Sequence, residues 1–341
     1  MSRVRALPPT PSPPAGPGGR PGWRLEAALL AAALGTILFA PRNLLGHLAP
    51  TFFALVLEGL PFLLLGSFVG GLLEVYLPKE FLLRRFSRRP GPSILVGAGL
   101  GFLFPVCECG IVPVVRRLLR KGLPIGGGVA FLLGGPIVNP LVAASTWLAY
   151  RGEPWMPVFR VALGYLIAVA AGWAFMQWAH GSRAILRPVP EAAPDGAQDT
   201  GAAGTPRLRR ALAHAAGDFL DIGRFFVFGA LFASLLQSLV PREAVVSWAQ
   251  ASPESSILAM MGLAFGLNLC SEADAFIAAS FRTVGLPFAA QLAFLLLGPM
   301  LDLKLLVQYR ALFKPRAAAV LAALVALLVL GASLACTGVA P

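Results

Sequence analysis

The sequence predicts an all-α, polytopic membrane protein with two inverted repeats, each containing a re-entrant or broken helical hairpin. Hydrophobic residues make up 57% of the chain and charged residues 13%, whereas soluble domains are about 45–50% apolar and about 25% charged. Its apolar runs of about 20 residues are long enough to cross a hydrocarbon core about 30 Å thick. The net charge of +12 comes from clusters between these runs, which is typical of membrane topology signals and not of a nucleic-acid-binding face.

Composition divides the chain into two transmembrane halves and two polar segments. Residues 1–24 are rich in Pro, Gly and Arg and predict a disordered cytoplasmic tail. The apolar run that follows lacks a small-x-small cleavage pattern, which favours an uncleaved span over a signal peptide. The predicted units are a first half (25–180), a cytoplasmic linker (181–212) and a second half (213–341). The candidate spans are 25–41, 49–77, 93–121, 124–150, 158–180, 213–240, 255–282, 286–311 and 317–338.

The two halves contain related sequences at an offset of 163 residues. Between 93 and 136, about 16 of 44 positions are identical to their counterparts in the second half, where biased apolar composition alone would give about four or five. One identical pair is Cys107 and Cys270. We therefore predict a duplicated unit, with repeat 1 at about 49–150 and repeat 2 at about 213–313, a plan that many transporters share.

The positions of the basic residues predict a hairpin in each repeat. Two basic clusters (79–89 and 116–121) flank the segment 93–121. If that segment were one crossing helix, the clusters would lie on opposite faces of the membrane, against the positive-inside rule. Two short limbs, 93–106 and 110–121, leave both clusters in the cytoplasm.

Carried through the chain, this topology makes the second hairpin (255–283) enter from the opposite face, so that the repeats are inverted. The alternative is nine ordinary spans with parallel repeats.

Thiols and carboxylates are concentrated at the tips of the two predicted hairpins. Helix breaks at membrane depth are tolerated only where protein or a water-filled cavity surrounds them. Ionisable groups at that depth cost about 2.5–3.5 kcal/mol each and mark transport pathways by default. The candidate substrate-binding residues at the two breaks are Cys107, Glu108, Cys109, Asn268, Cys270, Ser271, Glu272 and Asp274.

Four of these residues are also candidate metal ligands: Cys107, Cys109, Cys270 and Glu272. Thiolates beside carboxylates suit soft or borderline species such as Zn²⁺, Cu⁺ or a trivalent metalloid. The alternative is that the cysteines are small packing residues, which is our expectation for Cys336 in the last apolar helix.

Further polar positions occur in pairs at equivalent places in the two repeats. Glu58 and Asp221 lie inside apolar spans and are candidates for carrying a coupling proton, although a helix-end position is the plain alternative. Asn139 and Asp302 follow Gly-Pro breaks, where they are candidates to line the same cavity or merely accompany a Pro kink. We find no nucleotide-binding loop or hydrolase motif, so we expect neither an enzyme nor a cofactor.

The stretches PVCECGIVPVVRRLLRKGLPIGGGVAFLLGGPIVNP and LNLCSEADAFIAASFRTVGLP resemble the paired signatures of the predicted-permease family that includes the organoarsenical efflux permease ArsP. The resemblance covers about 25–338 and implies a bacterial inner-membrane permease that exports trivalent arsenicals or divalent metals. For some members it also implies a second small membrane subunit. Many members have Ser or Thr where Glu108 stands between the cysteines.

We therefore expect a multi-pass secondary transporter in the bilayer of the bacterial inner membrane, with a cytoplasmic N-terminus and a small inorganic or organometalloid substrate. Two other classes stay open from the residues. One is an intramembrane thiol redox protein that cycles Cys107 with Cys109 or Cys270, for which a C-x-C ring would be strained and labile. The other is a structural or channel subunit of a larger membrane complex.

Overall fold

The computed structural model describes residues 42–76, 90–103, 107–179, 185–186, 207–239 and 252–338. Contacts divide the chain into Met1–Leu45 and Gly46–Pro341, and all packing described below lies within the second unit. The predicted tail, the first span and most of the linker lie outside the described residues, as do 104–106 at the first hairpin tip.

The described ranges are helical, and their β-type pairing is an isolated bridge between Leu186 and Phe313. Five helical segments are long and apolar enough to cross a membrane: Leu48–Tyr76, Trp155–Trp178, Arg207–Ser238, Phe288–Leu312 and Pro315–Ala335. The helices in chain order are α1 (Arg42–Tyr76), α2 (Pro90–Gly99), α3 (Glu108–Lys121), α4 (Ile125–Gly134), α5 (Pro140–Ala149), α6 (Trp155–Trp178), α7 (Arg207–Leu239), α8 (Pro253–Leu267), α9 (Asp274–Ser280), α10 (Phe288–Met300), α11 (Leu303–Leu312) and α12 (Pro315–Ala335).

The helix boundaries follow local sequence signals. Helix α3 ends at Gly122, whose φ of 114° is readily adopted by glycine because it lacks a Cβ. Helix α8 ends at Asn268 in the left-handed region, with φ 50°. Asn139 caps α5 by accepting a hydrogen bond from the backbone N–H of Leu141, and Asp302 caps α11 in the same manner.

Three helices of the second half begin at positions equivalent to helices of the first. Helices α8, α10 and α11 start 163 residues after α2, α4 and α5, the same offset that aligns the sequences. Their packing is also reciprocal, because α3 contacts α11 while α9 contacts α5. A pseudo-two-fold relation between two copies of one unit produces reciprocal contacts of this kind.

The segment that contains α2 and α3 folds back on itself, as the basic clusters predicted. The side chain of Ser93 packs against Gly127, and the side chain of Leu119 packs against the next residue, Gly128. One continuous helix would separate 93 from 119 by about 39 Å at 1.5 Å per residue. The described parts of 93–121 therefore form a helical hairpin and not one continuous helix.

Two glycines at equivalent positions of the repeats let the long helices approach this core closely. A Cβ at Gly66 on α1 would overlap the backbone carbonyl of Gly110 on α3, and a Cβ at Gly229 on α7 would lie 2.9 Å from the Cα of Lys304 on α11. The segment Phe288–Leu312 lies at the centre of the described bundle, with 83% of its most apolar window buried. Lys304 therefore enters the middle of the protein.

Candidate functional site

The two helix breaks meet at the centre of the described bundle. The hydroxyl of Ser271 donates a hydrogen bond of 3.3 Å to Oε2 of Glu108, and these two positions are 163 residues apart, so they are equivalent in the two repeats. Both residues are buried. The two predicted breaks are therefore in direct contact through residues that occupy equivalent positions in the aligned repeats.

Lys304 brings a buried positive charge to this point. Its Nζ lies 3.4 Å from Oε1 of Glu108 and 3.8 Å from Oδ2 of Asp302. Its backbone N–H donates a 2.8 Å hydrogen bond to Oδ1 of Asn268, which anchors α11 to the second break. We did not identify Lys304 from the sequence, although a lysine two residues after Asp302 in an apolar run was an available signal.

Three cysteines lie at the same place. Cys107 and Cys109 are buried and Cys270 is half-buried, and all three are free thiols. The Cys270 thiol donates a 2.9 Å hydrogen bond to Oε2 of Glu272. Together the breaks and α1 form a cleft that is lined by Leu55, Glu58, Gly59, Phe62, Cys107, Glu108, Cys109, Cys270 and Lys304.

The three cysteines that we predicted as ligands therefore line one cleft. The fourth predicted ligand, Glu272, does not line the cleft but accepts the hydrogen bond from Cys270. Within the described ranges, no group of three or more His, Cys, Asp or Glu side chains has an arrangement that could hold a metal ion. The assignment of Cys107, Cys109, Cys270 and Glu272 as ligands stays a prediction. Cys336 lies at the end of α12 and does not line the cleft.

Arg160 on α6 is hydrogen-bonded to the backbone of the second break. Its side chain is 0% exposed, and it donates hydrogen bonds of 2.8 Å to Oγ1 of Thr146 and 2.9 Å to the backbone carbonyl of Ser271. Arg160 also interacts electrostatically with Asp274, whose Oδ2 has no hydrogen-bond partner in the part of the chain that the structure describes. A lone arginine in an apolar span was the sequence signal for this residue, which we missed.

The remaining predicted positions separate into two environments. Glu58 lines the cleft. Its repeat equivalent, Asp221 on α7, does not line the cleft and instead pairs with Arg116 on α3 and with Arg224 on α7. Asp302 lies beside Lys304. Asn139 is a buried helix cap and is not among the residues that line the cleft.

A second polar cluster joins the end of the first hairpin to two long helices. Arg117 pairs with Asp218 on α7 and lies 3.6 Å from Glu74 on α1. The Nζ of Lys121 donates a 2.7 Å hydrogen bond to the carbonyl of Leu73 and another to the carbonyl of Glu74. The C-terminal ends of α1 and α3 therefore lie beside each other, and α3 is joined there to α7 at Asp218.

Comparison with known proteins gives a consistent assignment. Residues 44–337 match the family described as "Predicted permease". The chain is 36% identical over 290 residues to UPF0718 protein YcgR of Bacillus subtilis, covering 84% of this chain and 96% of that protein. It is 37% identical over 278 residues to a "putative two-component membrane permease complex subunit" of Streptococcus mutans, covering 81% and 90%.

A shorter match, 36% identical over 80 residues, covers 22% of this chain and 22% of UPF0718 protein YraQ of Escherichia coli. No solved structure matches the chain. The family match over most of the length, the two long alignments and the apolar helices agree with the resemblance in the paired hairpin signatures. The chain is a multi-pass membrane protein and belongs to the predicted-permease family.

Proposed function

We propose that the protein is a secondary transporter that exports a soft metal or metalloid species through the cleft between the two helix breaks. The observation that carries this proposal is the convergence of Cys107, Cys109 and Cys270 on one cleft, although they come from two segments 163 residues apart. Thiolates select soft ions and thiophilic metalloids. We place the protein in the bacterial inner membrane with its N-terminus in the cytoplasm.

Transport against a gradient requires coupling to a proton gradient or to the membrane potential. Of the two coupling candidates, Glu58 is the carboxylate that lines the cleft, where a substrate and a proton would compete for the same space. Asp221 is held by two arginines. We therefore propose Glu58 as the coupling residue and assign Asp221 to the ion-pair cluster.

Two sets of contacts support an inverted arrangement of the repeats. Near the ends of α1 and α3, Arg117 and Lys121 contact Glu74, which is consistent with a cytoplasmic position for both basic clusters. The turn after α9 instead contacts the α5–α6 connection, where Arg282 pairs with Glu153 at 3.1 Å. The first hairpin would then open to the cytoplasm and the second to the opposite face.

A topology prediction follows from this orientation. Cysteines introduced as Gly91→Cys and Arg120→Cys should both be labelled from the cytoplasmic face, because the first limb of the hairpin begins there and the second limb ends there. Arg120 is exposed and helical, whereas Gly122 has a positive φ and is unsuitable for substitution. The measurement is labelling by a membrane-impermeant maleimide in everted and right-side-out vesicles.

The matched control is Arg282→Cys, at a position where the arginine side chain is 45% exposed. This cysteine should be labelled from the opposite face. The unsubstituted chain gives the background from the four native cysteines. Labelling of Gly91→Cys and Arg120→Cys from opposite faces would contradict the inverted arrangement.

A substrate panel in everted vesicles tests the proposed function. Vesicles containing the protein should accumulate at least one thiophilic species from a panel of arsenite, antimonite, Cu⁺, Cd²⁺ and Zn²⁺, because export from the cell becomes uptake in this orientation. A protonophore should abolish the accumulation. Vesicles without the protein provide the baseline, and equal accumulation of every species in both preparations would refute the proposal.

The name of the Streptococcus mutans relative supports a second candidate, in which this chain is one subunit of a two-component permease. In that case vesicles containing the chain alone would show no transport, and a second membrane subunit would restore it. Activity of the chain alone would exclude this candidate.

A further inference from the structure

We infer that Lys304 is a specificity-determining residue, which excludes hard divalent cations from the cleft by holding its ammonium group between Glu108 and Asp302. This inference rests on the proposed function, because it concerns which ligands the permease cleft rejects. It assigns to Lys304 the place that a metal ion would otherwise take.

The ammonium group occupies a cation position formed by two segments of the chain. Its Nζ lies 3.4 Å from Oε1 of Glu108, at the start of α3, and 3.8 Å from Oδ2 of Asp302, at the cap of α11. All three residues are buried. Carboxylate oxygens that converge from separate segments are the ligands that hard divalent cations prefer in proteins. Here a lysine of the chain itself satisfies them.

The surrounding contacts hold Lys304 in this place. Its backbone N–H is bound by the side chain of Asn268, and its Cα packs against Gly229 on α7. Asp302 uses Oδ1 to cap α11, while its Oδ2 has no hydrogen-bond partner among the described residues and has Lys304 as its ion-pair partner. Removing the ammonium group would therefore leave two buried carboxylates without their ion-pair partner.

This arrangement separates hard from soft ligands within one cleft. A hard cation such as Mn²⁺ requires oxygen ligands, and it would have to displace Lys304 to reach Glu108. A thiophilic species binds sulfur, and the three cysteines line the same cleft. Among the described residues the ion pairs of Lys304 are with Glu108 and Asp302. The positive charge of Lys304 thus prevents cations from binding the carboxylate oxygens of Glu108 and Asp302, while the thiols of the cleft stay available.

The test measures binding of Mn²⁺ to the purified full-length protein by its effect on the thermal unfolding midpoint. Mn²⁺ should not change the midpoint of the wild-type protein. It should raise the midpoint of Lys304→Met by at least about 4 °C at saturating concentration, because a ligand that binds only the folded state stabilises it. The wild-type protein should show no shift even at ten times the Mn²⁺ concentration that gives half the maximal shift of Lys304→Met.

Two controls separate the site from a general effect of Mn²⁺. Lys304→Arg keeps the positive charge and should show no response. Lys304→Met combined with Glu108→Gln removes one of the two carboxylates and should lose most of the response. Lys304→Gln is measured in parallel, and both uncharged variants are also purified in Mn²⁺ throughout.

The inference is overturned if Mn²⁺ stabilises the wild-type protein as much as Lys304→Met. It is equally overturned if a folded uncharged variant shows no response, or if neither uncharged variant is recovered even with Mn²⁺ present. The assay requires no transport and alters no cysteine, so its failure is distinguishable from failure of the proposed transport function.

Discussion

Replacing Arg160 by methionine is expected to destabilise the protein by about 2–4 kcal/mol, because it removes two buried hydrogen bonds and each buried polar group left without a partner costs about 1–3 kcal/mol. Methionine fills a similar volume but leaves the carbonyl of Ser271 without its donor and Asp274 without its positive neighbour. Unpaired polar groups in a protein interior are costly because they have lost their hydration. The measurement is the unfolding midpoint of the purified protein in detergent.

Arg282→Met is the matched control, because Arg282 forms an exposed ion pair with Glu153. Exposed pairs contribute about 0–1 kcal/mol, so this variant should unfold close to the wild-type protein. Adding Asp274→Asn to Arg160→Met should recover part of the loss, since the double variant no longer buries an uncompensated carboxylate. If Arg160→Met and Arg282→Met are equally stable, the structural role of Arg160 is refuted.

The helix breaks were predictable because their cause is local. Proline and glycine around Cys107 predict an interruption of the apolar run. In the structure α3 begins directly after Cys107, and Gly110 and Pro113 lie inside it. The capping roles of Asn139 and Asp302 were not predicted from the sequence, which indicated cavity-lining residues or a Pro kink; each caps a helix through a side-chain oxygen. The position of Cys270 followed from its alignment with Cys107.

The charged partners of the breaks were not predictable because they are distant in sequence. Lys304 is 196 residues from Glu108, and Arg160 is 111 residues from Ser271. A single charged residue in an apolar span indicates a buried partner, but only tertiary packing determines which partner it meets. The sequence therefore identified the breaks and their thiols but not the two cations that balance them.

Equivalent positions in a duplicated protein need not keep equivalent surroundings. Glu58 and Asp221 align in the repeats, yet only Glu58 lines the cleft. The difference arises because Arg116 pairs with Asp221, whereas the position equivalent to Arg116 is Ala279 and offers no charge. Repeat symmetry therefore locates candidate residues, and neighbouring side chains decide what each can do.

Replacing Cys107 by alanine is expected to reduce transport by at least about 100-fold while changing the free energy of unfolding by only about 1 kcal/mol. Loss of an outer-shell partner of a metal ligand already costs about 10–100-fold, and a proposed ligand should cost more. The loss of one small buried side chain lowers the free energy of unfolding by much less. The measurement pairs initial transport rates in everted vesicles with unfolding midpoints of the same variants.

The most direct test of the substrate site compares the cysteines with one another in that vesicle assay, at equal protein amounts. Cys107→Ala and Cys270→Ser should both abolish uptake of the thiophilic substrate, because their sulfurs line one cleft from different repeats. Cys336→Ser, which removes a buried cysteine outside the cleft, should transport at the wild-type rate. Wild-type transport by both Cys107→Ala and Cys270→Ser would show that these sulfurs are packing residues and would contradict the proposed site.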